Sequence, residues 1–164
     1  MKCRVMFRDA KAADQKAIHG LIEAAFDQKA EADLVDQLNA DGDMVISLVA
    51  ENATGDLLGH VALSKLKSPP SALALAPVSV APDEQSKGIG SALIRDAIER
   101  ARVLGAELIF VLGDPAFYTR FGFSVDAARP YPCPYAGPYF MALLLSQTAN
   151  KNAPLIYPTA FSNL

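Results

Sequence analysis

Residues 77–94 read PVSVAPDEQSKGIGSALI. Val78 and Val80 alternate with small residues up to Pro82. A polar loop follows, with Gly88 and Gly90 two apart, and an apolar pattern at helical spacing begins at Ile89. A strand that runs through a glycine loop into a helix leaves the first N–H groups of that helix without partners, and the helix dipole adds partial positive charge there. Glycines let the backbone come close to a phosphate. Gln85, Ser86, Lys87, Gly88, Ile89 and Gly90 stand where such a ligand sits; Lys87 adds a charge and Ser91 a hydroxyl. The same spacing also suits a tight turn that holds nothing.

Two phosphate-binding signatures fail on this stretch. A P-loop requires Gly-Lys-Ser/Thr, whereas Gly90 is followed by Ser91 and Ala92. A dinucleotide fingerprint requires a third glycine where Leu93 stands, and an acidic residue at the end of the next strand, where the sequence puts Glu107 at the start.

Before the loop, ALALAPVSVAP (72–82) reads as a strand. Pro77 inside it cannot donate to a ladder, so the spacing predicts a bulge or an edge there. MVISLVAEN (44–52) and LLGHVALSKLK (57–67), joined by a turn, read as an antiparallel pair. Helices are predicted over 12–26 and 31–39. The first strand is CRVMFR, with Cys3, Val5 and Phe7 on one side. After the loop, a helix runs over 89–104 and Gly105 ends it. ELIFVLGD is a buried strand, parallel to the one before the helix. DPAFYTRFGF gives a short helix capped by Asp114 with Pro115 at its first position, a short strand starts at Phe123, and YFMALLLS is the last strand. Residues 129–138 are a Pro/Tyr-rich loop, and 150–164 show no period. The whole reads as one α/β domain over 1–164, with 147–164 as a tail.

The 164 residues are 51% hydrophobic and 20% charged, enough for a folded core. A net charge of −3 without a Lys/Arg run argues against nucleic acid or an anionic membrane as partner. Cys3 and Cys133 form no metal spacing and read as free thiols. The charged N-terminus cannot serve as a signal peptide, and no apolar run is long enough to span a bilayer. A soluble cytoplasmic protein is expected; a homodimer stays open.

The motif QSKGIG (85–90) resembles the Q/R-x-x-G-x-G/A signature of the GNAT superfamily of acyl-CoA N-acyltransferases. It follows Val78, Val80 and Pro82 as that signature follows the family's fourth strand. DPAFYTRFGF resembles the family segment in which a tyrosine lies beside the acyl-CoA sulfur. The loop and the tyrosine motif together carry the likeness over roughly residues 3–146. With the closing PYFMALLLS strand and an aromatic tail, the set resembles the small bacterial YhbS-like subgroup. The resemblance implies a mixed sheet of six to seven strands, splayed between the fourth and fifth and flanked by about four helices. It implies acetyl-CoA as co-substrate, with its pyrophosphate on residues 85–91 and its pantetheine paired with the backbone of Val78, Ser79 and Val80. It implies no metal; His19 and Glu23, one helical turn apart, are too few ligands for one.

Transfer of an acetyl group to an amine needs a neutral amine, a polarised carbonyl and a proton for the departing thiolate. Backbone N–H near Val80 suits the carbonyl. Tyr118 is the candidate acid, against the alternative that it only packs beside Phe117, Phe121 and Phe123. The base stays open among Glu23, Asp27, Glu31, His60 and an ordered water. Tyr131, Tyr135 and Tyr139 either wall the acceptor pocket or pack a surface loop. The expected function is acetyl transfer from acetyl-CoA to a primary amine of a small molecule or peptide. The alternatives are an acyl-CoA sensor without turnover and an interaction protein with an empty glycine turn.

Overall fold

A computed structural model describes residues 4–147 and 153–164. Among these, six strands form one sheet in sequence order: β1 (Met6–Asp9), β2 (Met44–Glu51), β3 (Leu57–Lys65), β4 (Ala72–Val80), β5 (Leu108–Leu112) and β6 (Phe140–Leu144). Every neighbouring pair is antiparallel except β4 and β5, which run parallel. The crossover between them is α3 (Ile89–Val103), the helix that the glycine loop feeds. Helices α1 (Gln15–Phe26) and α2 (Ala30–Asp41) precede β2, and two short helices, α4 (Pro115–Tyr118) and α5 (Val125–Ala128), lie between β5 and β6.

Side-chain alternation along the strands divides the core into two layers. Leu48, Val61, Leu63, Leu73, Ile109 and Met141 point to one face and bury Leu93, Ile94, Ala97 and Ala101 of α3. On the other face, Val49 and Ala62 meet Ile18, Ile22 and Val35 of α1 and α2. Ala74, Phe110, Phe140 and Ala142 meet Leu34 and Leu38 there, together with Tyr131 and the end of the chain. Each fully buried Leu or Ile contributes about 1.5–3 kcal/mol. Among the described residues, the chain end forms no α-helix or strand, only a 3-10 helix at Thr159–Asn163. It pairs Ile156 with Ser68 and inserts Leu155, Ala160 and Phe161 into the second layer.

Most expected elements stand within a residue or two of their predicted bounds. The stop of α3 is a paired set of reverse bonds: Gly105, at φ +87°, donates to the Arg102 carbonyl (3.1 Å) and Ala106 to the Ala101 carbonyl (3.0 Å). Asp114 caps α4 by accepting from the Ala116 N–H at 3.0 Å. Two expectations differ. No strand starts at Phe123: a single bridge joins Ser124 to Ala142, and the chain then turns into α5, capped by the Ser124 hydroxyl. The first strand begins at Met6 and lies on the sheet edge. There Phe7 is 38% exposed and Arg8 is held by Asp14 and Glu51, so alternation does not bury one whole side. Cys3 lies outside the described residues.

Gly59 in β3 sets how closely α3 approaches the sheet. A Cβ there would lie 2.9 Å from Leu93 Cδ1, 3.0 Å from Ile89 Cγ2 and 3.1 Å from the Ser79 carbonyl oxygen. The first turn of α3 therefore rests directly on β3 backbone. Gly59→Ala is expected to cost roughly 1–3 kcal/mol by overpacking. Urea denaturation should show a lower midpoint with an unchanged slope.

Candidate active site

The parallel pair separates early. β4 and β5 pair only at Ala72 with Leu108, Leu73 with Ile109 and Ala74 with Phe110, whereas β4 stays paired to β3 as far as Val80 with Gly59. Beyond Ala74, one edge of β4 is therefore open. Pro77 sits where this happens. Between the pairs Val61–Val78 and Leu63–Leu75, β4 carries one more residue than β3, which is the bulge that the missing N–H predicts.

The bulge sets which backbone groups face the open edge. Ala81 N–H donates to the Leu58 carbonyl, toward β3, at 2.9 Å. By alternation the backbone groups of Ser79 also face β3, and those of Val78 and Val80 face the gap. The close approach of the Ser79 carbonyl to Gly59 agrees with this. The Val80 carbonyl accepts from the Gln85 side-chain amide at 3.2 Å, which ties the loop back onto the strand end.

The loop that follows has two residues in the left-handed region, Ser86 at φ +65° and Gly88 at φ +86°. Gly88 is the N-cap of α3, and the helical ladder starts with Ala92 N–H donating to the Gly88 carbonyl at 3.0 Å. The N–H groups of Ile89, Gly90 and Ser91 thus precede the ladder and form a concave donor set at the positive end of a 15-residue helix. An open cleft of about 580 Å³ joins this set to β4. Val78, Val80, Gln85, Ser86, Gly88, Ile89, Gly90 and Ser91 line it, together with Glu84, Phe117 and Arg120.

Two of the expected contact residues stand apart from the cleft wall. Ser79 turns its side chain to the opposite face of the sheet, where it is buried across from His60, so only its backbone shares the strand. Lys87 points its ammonium to Glu84 at 3.2 Å and lies off the wall. Phe117 and Arg120 were not singled out for this role. Their spacing of three residues in one helical turn puts them on one face, and Arg120 lies over the Phe117 ring at 4.6 Å while donating to its carbonyl at 3.2 Å.

Tyr118 stands behind Phe117 on the β5 bank of the gap. It is 9% exposed, and its ring packs edge-on against Phe117 (5.0 Å) and Phe123 (5.9 Å). Burial pushes its phenol pKa up, so the hydroxyl keeps its proton at neutral pH. The candidate bases lie elsewhere. Glu23 pairs with His19, and Glu31 accepts from Gln28; both are on the α1–α2 surface, as is Asp27, which ends α1 at φ +54°. His60 is fully buried, with Nε2 bonded to the Ser47 hydroxyl at 2.8 Å.

Burial without a charged partner lowers the His60 pKa from 6.5 to about 4. The unfolded chain therefore binds a proton at His60 before the folded chain does. Stability should fall as pH drops from about 6.5 to about 4 and level off below. His60→Gln should flatten that part of a stability–pH curve measured by urea titration.

The loop tyrosines divide. Tyr131 is buried edge-on to Phe110, at 5.2 Å, whereas Tyr135 and Tyr139 are exposed. The loop walls a second, apolar cavity of about 620 Å³ through Ala136, Gly137 and Pro138, facing Pro115, Val125, Ala128 and Phe140. Cys133 is half-buried and accepts from the Tyr135 N–H at 3.3 Å, and burial pushes its thiol pKa up, against a nucleophilic role. No helix among the described residues is long and apolar enough to cross a membrane.

A strand edge opened at a bulge, facing a helix N-terminus across one cleft, is the arrangement that the resemblance implied. Comparison with known proteins bears out the family and the fold. Residues 14–123 match the acetyltransferase (GNAT) family. The uncharacterized N-acetyltransferase YhbS of Escherichia coli K12 is 32% identical over 127 residues, 76% of each chain. The crystal structure of Escherichia coli YhbS in complex with CoA superposes with a TM-score of 0.90 at 26% identity, over 99% of this chain and 94% of that one. A GNAT acetyltransferase from Brucella melitensis, solved with acetyl-CoA, superposes with a TM-score of 0.83 at 32% identity, over 96% and 98% of the two chains. With the family match, the identity and the splayed parallel pair in agreement, this chain belongs to the GNAT family of acetyltransferases.

Proposed function

We propose that this chain binds acetyl-CoA in the cleft between β4 and α3 and transfers its acetyl group directly to a primary amine. One observation carries the reading. The backbone of Val78 and Val80, which no strand pairs on the side of β5, and the donor set of Ile89, Gly90 and Ser91 open into the same cleft. An amide-rich linker ending in a pyrophosphate fits both ends at once. The linker takes the place of a neighbouring strand, and the phosphates sit on the N–H groups. The ligands in the YhbS and Brucella structures support the choice of CoA thioester.

In the transfer, the amine nitrogen bonds to the thioester carbonyl carbon and the carbon–sulfur bond breaks. Backbone N–H at Val78 or Val80 holds the carbonyl oxygen as negative charge develops on it. Tyr118 gives its proton to the departing thiolate. The proton lost by the amine leaves through water, and water returns one to Tyr118, since His60 has no open path to the cleft and the acidic candidates lie on the α1–α2 surface.

Thermal-shift titration with acetyl-CoA tests binding: a ligand that prefers the folded chain must raise its melting temperature. Thiol release then tests turnover against a diamine, a polyamine, an amino sugar, an amino-acid amide and a peptide with a free N-terminus. A shift without thiol release across the panel would favour a sensor, and no shift would remove the reading. Within the cleft, Arg120→Ala should weaken acetyl-CoA binding by ~0.5–1 kcal/mol, the usual value for an exposed cation. Lys87→Ala should do less, because Lys87 already faces Glu84 and lies off the wall. Isothermal titration of both variants checks the order.

A further inference from the structure

We infer that Gly113 is a positioning residue for Tyr118, an assignment that rests on the acid role proposed above. Gly113 follows β5 directly, and its N–H donates to the Tyr139 carbonyl at 2.9 Å, which pins the end of β5 to the chain entering β6. Its backbone lies outside the left-handed region, so its conformation does not require glycine. The space beside it does. A Cβ at 113 would lie 2.5 Å from Tyr118 Cε2, 3.1 Å from Cδ2 and 3.5 Å from Cζ, and all three nearest atoms belong to that one ring.

The ring has little room to withdraw. Phe117 and Phe123 hold it edge-on, and Phe121 lies 6.4 Å away on a tilted plane. Asp114 fixes the start of α4 through the Ala116 N–H, so the helix cannot slide freely to absorb the contact. The missing side chain at 113 therefore sets how near the Tyr118 ring comes to the end of β5, and with it where the hydroxyl stands. A methyl group at 113 displaces the phenol. A displacement of about 1 Å is enough to cost an acid roughly 10²-fold.

The test compares wild type, Gly113→Ala, Tyr118→Phe and the double variant, using the most active amine of the panel. Gly113→Ala should lower kcat about as far as Tyr118→Phe does, and the double variant should be no worse than either, because both remove the same proton donor. The dissociation constant for CoA should hold in all four. The same set is then run with the selenoester analogue of acetyl-CoA, whose more acidic selenol leaves without protonation. Gly113→Ala and Tyr118→Phe should both return to near the wild-type rate. Melting curves of wild type, Gly113→Ala, Tyr118→Ala and Gly113→Ala/Tyr118→Ala check the contact itself: once the ring is gone, the methyl group should cost nothing further.

The inference fails if Gly113→Ala keeps the wild-type kcat, if its loss multiplies that of Tyr118→Phe, or if the selenoester rescues Tyr118→Phe and not Gly113→Ala. Full activity of Tyr118→Phe with acetyl-CoA is a separate outcome. It removes the acid reading, and the positioning role falls with it.

Discussion

Tyr118→Phe is expected to lower kcat by roughly 10²–10⁴, the usual worth of a positioned general acid. The change deletes one oxygen and leaves the ring. The edge-on contacts with Phe117 and Phe123 persist, and the folded state should lose little stability. The hydroxyl has no hydrogen-bond partner among the described residues, so its removal strands no buried donor or acceptor within the protein. Affinity for acetyl-CoA should hold, because a bond to sulfur strengthens only as negative charge collects there. Steady-state kinetics separate the outcomes. A fall in kcat with unchanged CoA affinity supports the acid. A rise in KM alone makes Tyr118 a binding residue. Unchanged kinetics return it to packing beside its aromatic neighbours and leave water as the donor.

The sequence made the β4–α3 half of the site legible because its constraints are local. A proline without an N–H must disturb a ladder, and the bulge stands at Pro77. A glycine between a polar loop and an apolar period marks a helix start, and Gly88 is the N-cap of α3. The other bank was less legible, because its positions depend on contacts distant in sequence. Gly59 and Gly113 look like ordinary glycines in strand patterns, and their requirement appears only when Leu93 and Tyr118 are placed against them. Ser79 lies between two valines that face the cleft, so proximity in sequence placed it with the ligand, whereas the period of two turns its side chain away. Lys87 had the right charge and offset, but Glu84, three residues before it, takes that charge. The missing strand at Phe123 failed on length: one bridge to Ala142 satisfies the backbone before Ser124 caps a helix. Gly90 shows a different limit. Its φ is not left-handed, and a Cβ there would meet only Val80 Cγ2, at 3.4 Å, an ordinary contact. The protein alone does not exclude a side chain at 90; a phosphate seated on the N–H groups would.

Gly88→Asp should weaken acetyl-CoA binding by at least tenfold, about 1.4 kcal/mol, with the fold retained. Gly88 stands at φ +86° with no atom within 4 Å of an added Cβ, so a side chain there meets conformational cost but no clash. Asp and Asn are the non-glycine residues that adopt this conformation most readily, since their side chains bond locally to the backbone. Gly88→Asn is therefore the matched control: it has the same shape and backbone demand, without the charge. If the cleft holds a pyrophosphate, Asp sets a carboxylate against it at the mouth of α3, where the N–H groups and the dipole otherwise favour the anion. Asn should bind acetyl-CoA more tightly than Asp. The gap should narrow as salt rises, because charges at an open cleft are screened over about 10 Å at 0.1 M salt. Isothermal titration at two ionic strengths measures both terms. Equal affinity in Asp and Asn variants that melt as the wild type does would take the phosphate off this loop.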